Sequence, residues 1–263
     1  YKMEFIIAIP SFDRPELIAK RTLALLFRHS IPAENIIIFL RDDDQYHKYK
    51  KHIYGFHKNV VFTYATGIQA TRNFMQLYFY NNKKFEHVIY LDDDINELID
   101  YDKPVENLIS LGNNIFKELI KQSLFVAGIS PYHNKFYLKK NISRTLKYIC
   151  GCFRAERIRR DTPVILCEMG HFEDHQFSCE YFLRDGGLLR FNWIALVTKY
   201  FELEGGICGQ LGGMEARQEQ MEENAQVMVS LYPEMCRAVE KKYGWDIRLN
   251  HHYNIDLKEI IID

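Results

Sequence analysis

The chain has 263 residues, of which 47% are hydrophobic and 26% charged, and its formal net charge is −1. This composition is typical of a globular protein and excludes a uniformly basic nucleic-acid binder. No apolar run reaches the roughly 18 residues of a membrane-spanning helix, so we expect no membrane partner. The six cysteines lack the spacing of a zinc motif and suit a cytoplasmic protein with reduced thiols.

The N-terminal part alternates between short apolar runs and amphipathic segments. Apolar runs rich in β-branched residues predict buried strands, and apolar residues at helical spacing predict helices. The predicted strands are residues 5–9, 36–40, 60–64 and 87–91, and the predicted helices are residues 15–30 and 70–80. This order predicts an α/β fold with right-handed crossovers and a mostly parallel sheet flanked by helices.

The second half is less regular. It contains predicted helices at residues 106–122 and 215–243 and predicted strands at residues 125–129, 148–153 and 188–197. Five glycines in residues 205–213 predict a mobile loop. Because no repeat or Pro/Ser-rich linker divides the sequence, we expect a single domain over residues 1–263.

Three consecutive carboxylates, Asp92, Asp93 and Asp94, follow the predicted strand at residues 87–91. Side chains alternate along a strand, so Asp92 and Asp94 are predicted to share one face while Asp93 points away. Two carboxylates at a strand end suit a divalent cation that keeps coordination positions for substrate phosphates. An acidic turn, or the cap of a following helix, explains the triplet alone equally well.

Polar residues also follow the other predicted strands. Ser11 and Arg14 come after the first strand, and residues 42–44 are aspartates after the second. Gly67 and Arg72 open the next helix, where glycine permits close approach of a ligand and arginine offers paired donors to a diphosphate. In parallel α/β sheets ligands bind at these strand ends. The alternative for Arg72 is a solvated side chain in a first helical turn.

A second acidic pair, Glu173 and Asp174, lies between aromatic residues. Such a carboxylate can act as a general base in a partly dehydrated site. His171 and His175 have a spacing that would share a helix face, but the metalloprotease motif H-E-x-x-H is absent. The pattern therefore favours a general base over a zinc site.

Two adjacent histidines, His251 and His252, lie near the C-terminus. A neutral imidazole from one of them would complete the coordination of a metal held by Asp94. Taken alone, the pattern favours a solvent-exposed pair over a metal site.

Charge is unevenly distributed along the chain. Between Lys135 and Arg160, nine basic residues stand against the single acidic residue Glu156. Aromatic residues are interleaved with the first lysines, a combination that suits phosphate contacts and base stacking. A solvated basic hairpin explains the pattern equally well. The candidate DNA-binding residues are Lys135, Lys139, Lys140, Arg144 and Lys147.

In chain order these motifs resemble those of the GT-A glycosyltransferases. The matching elements are a Pro-Ser-Phe-Asp-Arg-Pro turn, an acidic turn, a G-x-x-A-x-R-N helix start, a D-x-D after the fourth strand and a later Glu-Asp pair. More narrowly, the segments at residues 9–11, 91–95 and 173–177 and the glycine-rich segment before Arg217 resemble the TET/JBP-associated glycosyltransferase family. The resemblance spans about residues 5–253.

This resemblance implies a Rossmann-like GT-A fold, a UDP-sugar donor and Mn²⁺ or Mg²⁺. It also implies that the domain has two halves. The nucleotide-sugar half covers about residues 1–100, and an irregular acceptor half covers about residues 101–263. The residues implied for the nucleotide sugar are Pro10, Ser11, Arg14, Asp43, Gly67, Arg72, Asn73, Asp92 and Arg217. Those implied for the metal are Asp92, Asp94 and either His251 or His252. Asp174 of the Glu173–Asp174 pair is implied as the catalytic base.

The narrower resemblance implies DNA hypermodification, with a hydroxymethylated pyrimidine as acceptor. The target base would be flipped or already unpaired, and a phage-encoded enzyme would act in the host cytoplasm. The loop at residues 205–213 would close over the donor and exclude water. The alternatives are a protein, polysaccharide or small-glycan acceptor on the same fold, a metal-dependent nucleotidyltransferase, and an inactive GT-A binding module. The sugar, the stereochemical course and the oligomeric state do not follow from the sequence.

Overall fold

The computed structural model describes residues 3–56, 59–198, 214–241 and 244–254, with the backbone alone for residues 214–218. A ten-stranded sheet runs through its centre. None of the helices in these ranges combines the length and the apolarity that a bilayer crossing requires.

The N-terminal half alternates strands and helices as predicted. Helix α1 is continuous but contains a π-helical turn, Ala19–Leu23, between the α-helical segments Pro15–Ile18 and Ala24–Arg28. The other elements of this half are β1 (Ile6–Pro10), β2 (Ile36–Leu40), α2 (Asp43–Tyr49), β3 (Val60–Phe62), α3 (Ile68–Asn81) and β4 (His87–Leu91).

Helix α2 was not predicted, because residues 42–44 were interpreted as an acidic turn. Asp42 is instead the cap of this helix, since its Oδ1 accepts the backbone N–H of Gln45 at 2.9 Å. Aspartate is among the best residues for this role.

The second half contains more short strands than predicted. Its elements are β5 (Glu97–Asp100), β6 (Lys103–Pro104), α4 (Leu108–Lys121), β7 (Val126–Ser130), β8 (Ile142–Ser143), β9 (Phe153–Arg157), α5 (Glu173–Asp185), β10 (Leu189–Val197), α6 (Met214–Leu231), β11 (Cys236–Lys241) and β12 (Gly244–Leu249).

Two predictions for this half are wrong. The strand predicted at residues 148–153 begins only at Phe153, and the preceding residues form an irregular loop and turn. The helix predicted to reach residue 243 ends at Leu231, because Pro233 cannot continue a helix. An antiparallel hairpin of β11 and β12 follows it.

The sheet has the order β3-β2-β1-β4-β9-β7-β10-β5-β6, with β8 paired to β10. The four strands of the N-terminal half are parallel. Strand β9 is antiparallel to both β4 and β7. The carboxyl ends of β1, β2 and β4 therefore meet at one edge, and the start of β9 lies beside the end of β4.

Helices pack on both faces of the parallel strands. On one face, Ile7 and Ile89 lie in a core with residues of α1 and α4. On the other face, Ala8 and Tyr90 pack with Phe79 of α3. Because apolar side chains cover both faces, these strands are nearly uniformly apolar and their polar residues are confined to the ends.

Candidate active site

Ser11 and Asp93 connect the ends of the neighbouring strands β1 and β4. Ser11 Oγ donates a hydrogen bond to Asp93 Oδ2 at 2.5 Å and lies 2.7 Å from the hydroxyl of Tyr49. Arg14 Nη1 lies 3.3 Å from Asp93 Oδ1 and 3.7 Å from Asp94 Oδ2. The structure thus brings two of the predicted nucleotide-binding residues, Ser11 and Arg14, to the acidic triplet.

The orientation predicted for Asp93 is wrong. Strand β4 ends at Leu91, so the alternation of a strand does not extend through the triplet, which forms a turn. Asp93 is 5% exposed and faces Ser11 and Arg14. Burial raises the pKa of Asp93 to about 7, against the opposing effects of Arg14 and Ser11.

The backbone of this acidic turn is held by side chains from α1 and from the end of β10. Thr22 Oγ1 donates to the carbonyl of Asp92 at 2.7 Å and accepts the N–H of Ile95 at 3.0 Å. The hydroxyl of Thr198 donates to the carbonyl of Asp94 at 3.1 Å. These three bonds fix the turn through its backbone.

The carboxylates of Asp92 and Asp94 are the candidate ligands for a divalent cation. Burial, followed by the charge of Asp92, raises the pKa of Asp94, and a bound cation would remove this unfavourable interaction. Within the described ranges, no three His, Cys, Asp or Glu side chains form a group able to hold a metal. The protein would therefore supply two carboxylates, and phosphate oxygens and water would supply the other ligands.

The structure does not bring the predicted histidine ligands into such a group. His251 Nδ1 lies 2.8 Å from the carbonyl of Leu146, and because a carbonyl only accepts, this nitrogen carries the proton. Within the described residues, neither His251 nor His252 belongs to a group of three side chains able to hold a metal. The same is true of His171 and His175, so the zinc alternative has no support there.

Arg72 links the two acidic pairs that the sequence singled out. Its Nη2 lies 3.0 Å from Asp92 Oδ1, and its Nη1 donates to Glu173 Oε1. The guanidinium lies directly over Gly151, where a Cβ atom would come within 2.1 Å of Nη1. Burial disfavours the charge of Arg72, but Glu173 and Asp92 outweigh burial and raise its pKa. Arg72 is therefore a fixed cation between the two pairs.

Asp174, in the first turn of α5, accepts several hydrogen bonds. Its Oδ2 accepts from the hydroxyl of Tyr148 at 2.5 Å and from the N–H of Gly151 at 3.3 Å. Its Oδ1 lies 3.1 Å from His175 Nδ1. Burial alone would raise the pKa of Asp174, but His175, Arg72 and Tyr148 together hold it well below the usual range. The carboxylate is therefore ionised at neutral pH.

The neighbouring carboxylate, Glu173, has the opposite electrostatics. Burial raises the pKa of Glu173 to about 7, although the charge of Arg72 opposes this shift. The preceding residue, Phe172, has a φ of 65°, a conformation that costs a non-glycine residue energy and is found at functional sites. Two adjacent carboxylates with pKa values pushed apart are typical of acid–base sites.

Other residues predicted to bind the donor occupy supporting positions. Pro10 ends β1, and Gly67, with a φ of 85°, precedes the first turn of α3. Asn73 accepts the N–H of Cys167 at 2.9 Å and donates to its carbonyl at 2.7 Å. Its amide therefore holds the loop before α5. Asp43 is exposed in the first turn of α2.

The predicted DNA-binding residues lie on a surface that also exposes aromatic rings. Phe136 is 83% and Tyr137 61% exposed. Lys135 pairs with Asp102 at 3.3 Å, so its charge is partly neutralised. Of the five predicted lysines and arginines, Lys147 is half-buried and the others, Lys135, Lys139, Lys140 and Arg144, are exposed. The side chain of Arg217 and the predicted lid at residues 205–213 lie outside the described residues.

A buried ion pair beneath the site was not predicted. Arg154 and Glu156 share one face of β9 and are 4% and 2% exposed, with 3.7 Å between Nη2 and Oε2. The Arg154 guanidinium lies 4.2 Å from the ring centroid of Tyr90 and 3.8 Å from that of Phe177. Aromatic faces of this kind favour a desolvated guanidinium. The sequence offers one signal for this pair, because its two charged residues alternate with apolar ones. That signal was missed because both residues fall in the basic segment between Lys135 and Arg160.

Glu156 connects this ion pair to two helices. Its Oε2 accepts from Gln76 Nε2 at 2.9 Å, and its Oε1 accepts from the hydroxyl of Tyr181. Gln76 lies about one turn beyond Arg72 in α3, and Tyr181 lies about two turns beyond Glu173 in α5. The network therefore anchors to β9 both helices that carry the charged residues of the site.

No protein-family model and no curated protein matches the chain. Solved structures do match it. The S. aureus TarS fragment 1–349 in complex with UDP-GlcNAc has a TM-score of 0.56 and 14% identity, over 86% of this chain and 67% of that chain. The chain spans 66% of the same fragment in another crystal structure.

Two further glycosyltransferases match at similar levels. A Pyrobaculum calidifontis mannosyltransferase in complex with GDP-Man and Mn²⁺ has a TM-score of 0.52 and 12% identity, over 88% of this chain and 65% of that chain. Glucosyl-3-phosphoglycerate synthase from Mycobacterium tuberculosis, with Mn²⁺ and UDP-glucose, has a TM-score of 0.52 and 10% identity, over 94% and 86%. The fold of this chain is the predicted one, the GT-A fold of the glycosyltransferases.

Proposed function

We propose that this protein is a metal-dependent glycosyltransferase that moves a sugar from a UDP-sugar to an acceptor hydroxyl. The observation that carries this proposal is the chain of ionic contacts from Asp92 through Arg72 to Glu173. It joins the strand-end carboxylates to the ionised Asp174. The similar structures that contain UDP-GlcNAc, GDP-Man or UDP-glucose support a nucleotide-sugar donor.

The donor would lie across the carboxyl ends of β1 and β4, where ligands of parallel α/β sheets bind. At this edge Pro10 ends β1 and Ser11 follows it. Arg14 adds a positive charge beside Asp93 and Asp94. A divalent cation held by Asp92 and Asp94 would stabilise the negative charge of the diphosphate. The nucleotide half of the chain would thus hold the leaving group.

In the proposed reaction, Asp174 accepts the proton of the acceptor hydroxyl. The acceptor oxygen forms a bond to the anomeric carbon of the sugar, and the bond between that carbon and the diphosphate oxygen breaks, so UDP leaves with the electron pair. Tyr148 and His175 keep Asp174 ionised and oriented for this step. Arg72 places a preorganised positive charge beside Asp92 on the leaving-group side.

For the acceptor we propose a hydroxymethylated pyrimidine in DNA. The exposed rings of Tyr132, Phe136 and Tyr137 suit stacking on unpaired bases. The exposed cations Lys139, Lys140 and Arg144 adjoin them in the chain and suit phosphate contacts. The base would have to leave the duplex for its hydroxyl to reach Asp174.

A product assay tests both the proposed glycosyltransferase activity and the proposed DNA acceptor. The protein is incubated with Mn²⁺ and one of several UDP-sugars, and with duplex or single-stranded DNA that carries either hydroxymethylcytosine or cytosine. We expect a mass gain of one sugar on hydroxymethylated DNA alone, together with release of UDP. Release of pyrophosphate instead would identify a nucleotidyltransferase. Transfer to glycan or protein acceptors but not to DNA would contradict the DNA acceptor and leave the glycosyltransferase proposal standing.

The assay is paired with a variant of the candidate base. Asp174→Asn keeps the size of the side chain but cannot accept the proton, so we expect at least a hundredfold loss of sugar transfer. Asp161→Asn changes an exposed carboxylate whose partner is Arg159 and serves as the matched control. Equal activity of the two variants would exclude Asp174 as the base.

A further inference from the structure

A group of basic residues lies on the acceptor half of the chain. We call Lys139, Lys147, Arg190 and His251 the basic pocket. Arg190 lies in β10 opposite Ser143 of β8, and its Nε donates to Asn192 Oδ1 at 2.8 Å. This contact holds the arginine side chain in place.

Backbone hydrogen bonds bring the other members to the same place. The N–H of Lys139 donates to the carbonyl of Asn192 at 3.1 Å, which fixes Lys139 to the strand that carries Arg190. His251 Nδ1 donates to the carbonyl of Leu146 at 2.8 Å, so this histidine lies next to Lys147 in the fold. Four cationic or protonatable residues from three parts of the chain therefore lie near one another.

Among the described residues, no carboxylate is found to compensate the charges of Lys147 and Arg190 in the basic pocket. Burial, followed by Arg190 and Lys139, lowers the pKa of Lys147. Burial also lowers the pKa of Arg190, and no carboxylate contributes to the shift of either group. Cations held together in a half-buried place without a counter-charge are unfavourable. An anion bound among them would remove this cost.

The basic pocket is connected to the candidate base along the chain. Lys147 immediately precedes Tyr148, whose hydroxyl donates to Asp174 at 2.5 Å. Tyr132, an exposed aromatic residue, lies close enough to Arg190 to influence its pKa.

We propose that Lys139, Lys147 and Arg190 bind a phosphodiester group of the DNA acceptor. This inference rests on the proposed function for the identity of the acceptor. The guanidinium of Arg190 offers paired donors to two phosphate oxygens, whereas the lysines act as point charges. The pocket would hold the backbone while the base extends towards Asp174.

The test measures binding and transfer separately. A fluorescent 12-residue oligonucleotide containing hydroxymethylcytosine is titrated with protein at about 50 mM and 200 mM salt. The variants are Lys147→Gln and Arg190→Gln, and the matched control is Lys121→Gln, which removes an exposed charge at the end of α4. We expect each pocket variant to weaken binding about tenfold and to reduce the salt slope by about one, with the control unchanged.

Inorganic polyphosphate distinguishes phosphate recognition from base recognition. If the pocket binds phosphate, polyphosphate displaces the oligonucleotide from the native protein and from Lys121→Gln at about the same concentration. Polyphosphate should bind Arg190→Gln about tenfold more weakly than it binds the native protein. Equal affinities and salt slopes across all four proteins would overturn the proposal. So would a native protein that binds neither the oligonucleotide nor polyphosphate.

Sugar transfer is measured on the same proteins, so that the two proposals can fail separately. The pocket variants are expected to raise KM for DNA and to leave KM for the UDP-sugar unchanged. Binding that depends on Arg190 without any sugar transfer would support the phosphate site and contradict the proposed function. Sugar transfer that is insensitive to Arg190 and Lys147 would support the proposed function and contradict the phosphate site.

Discussion

Arg154 and Glu156 form an ion pair inside the protein, with 3.7 Å between Nη2 and Oε2, in the strand that joins the two halves of the sheet. Both residues are buried, and Glu156 also binds a residue of α3 and a residue of α5. Replacing such a pair with apolar residues is often neutral for stability. The specific contacts to the two helices suggest that the pair positions them.

We predict that the pair contributes more to activity than to stability. Glu156→Leu leaves the Arg154 charge buried without its partner, so we expect the free energy of unfolding to fall by about 3–5 kcal/mol. The double variant Arg154→Met, Glu156→Leu should recover only part of that loss, because Gln76 and Tyr181 still lack their acceptor. Its kcat should stay about tenfold below the native value, because Arg72 and Glu173 lose their fixed separation. Urea unfolding and UDP release measure the two effects. Native kcat in the double variant would contradict a positioning role.

Gly151 is predicted to be essential for the placement of Arg72. A Cβ atom at residue 151 would lie 2.1 Å from Arg72 Nη1, so Gly151→Ala displaces the guanidinium from Asp92 and Glu173. Because the buried Arg72 loses its contacts to both carboxylates, we expect a lower Tm, and sugar transfer should fall about tenfold or more. Gly170→Ala is the control, since no atom lies within 4 Å of its added Cβ. Equal activities would rule out this role.

Asp94 is predicted to bind the metal directly. Asp94→Asn keeps the shape of the side chain but removes half of the proposed carboxylate charge, so we expect a loss of kcat/KM of about a hundredfold or more. Calorimetric titration with Mn²⁺ in the presence of UDP should show weaker metal binding. Asp44→Asn, at an exposed position in the first turn of α2, provides the comparison. Unchanged Mn²⁺ affinity in Asp94→Asn would exclude the assignment.

Glu173 is predicted to make the stability of the protein depend on pH. Burial raises its pKa in the folded state to about 7, above the value of about 4.3 in an unfolded chain. Between these pH values the folded state holds more protons, so stability falls as the pH rises. Glu173→Gln cannot titrate. The stability of the native protein relative to this variant should therefore decrease from about pH 4.3 to about pH 7 in urea unfolding. A difference independent of pH would contradict the raised pKa.

The parts of the fold and site predicted correctly are those that short-range patterns encode. The apolar runs before Ser11 and Asp92 identified adjacent strands, and parallel strands necessarily bring their carboxyl ends together. The orientation of Asp93 was predicted wrongly because the strand stops one residue before the triplet. The sequence pattern does not mark the end of this strand, because the same residue types occur in strands and in turns.

Contacts between distant segments could not be predicted. Arg72 and Glu173 are 101 positions apart, and the turn that brings Gly151 beneath Arg72 resembled a strand in sequence. Asn73 was predicted to bind the nucleotide sugar, but its amide binds the backbone of Cys167. Whether a polar side chain faces a ligand or the protein's own backbone depends on tertiary packing, which one sequence does not reveal.

The hydroxyl of Thr22, in the π-helical turn of α1, bonds the acidic turn at both a carbonyl and an N–H. The shape of the turn is therefore set by a neutral side chain from another element, whereas its chemistry resides in its carboxylates. Ion preference could then change by exchanging single aspartates, without rebuilding the loop that presents them. By the same reasoning, Thr22 is a position where a mutation would distort the geometry of the turn while leaving every charge in place.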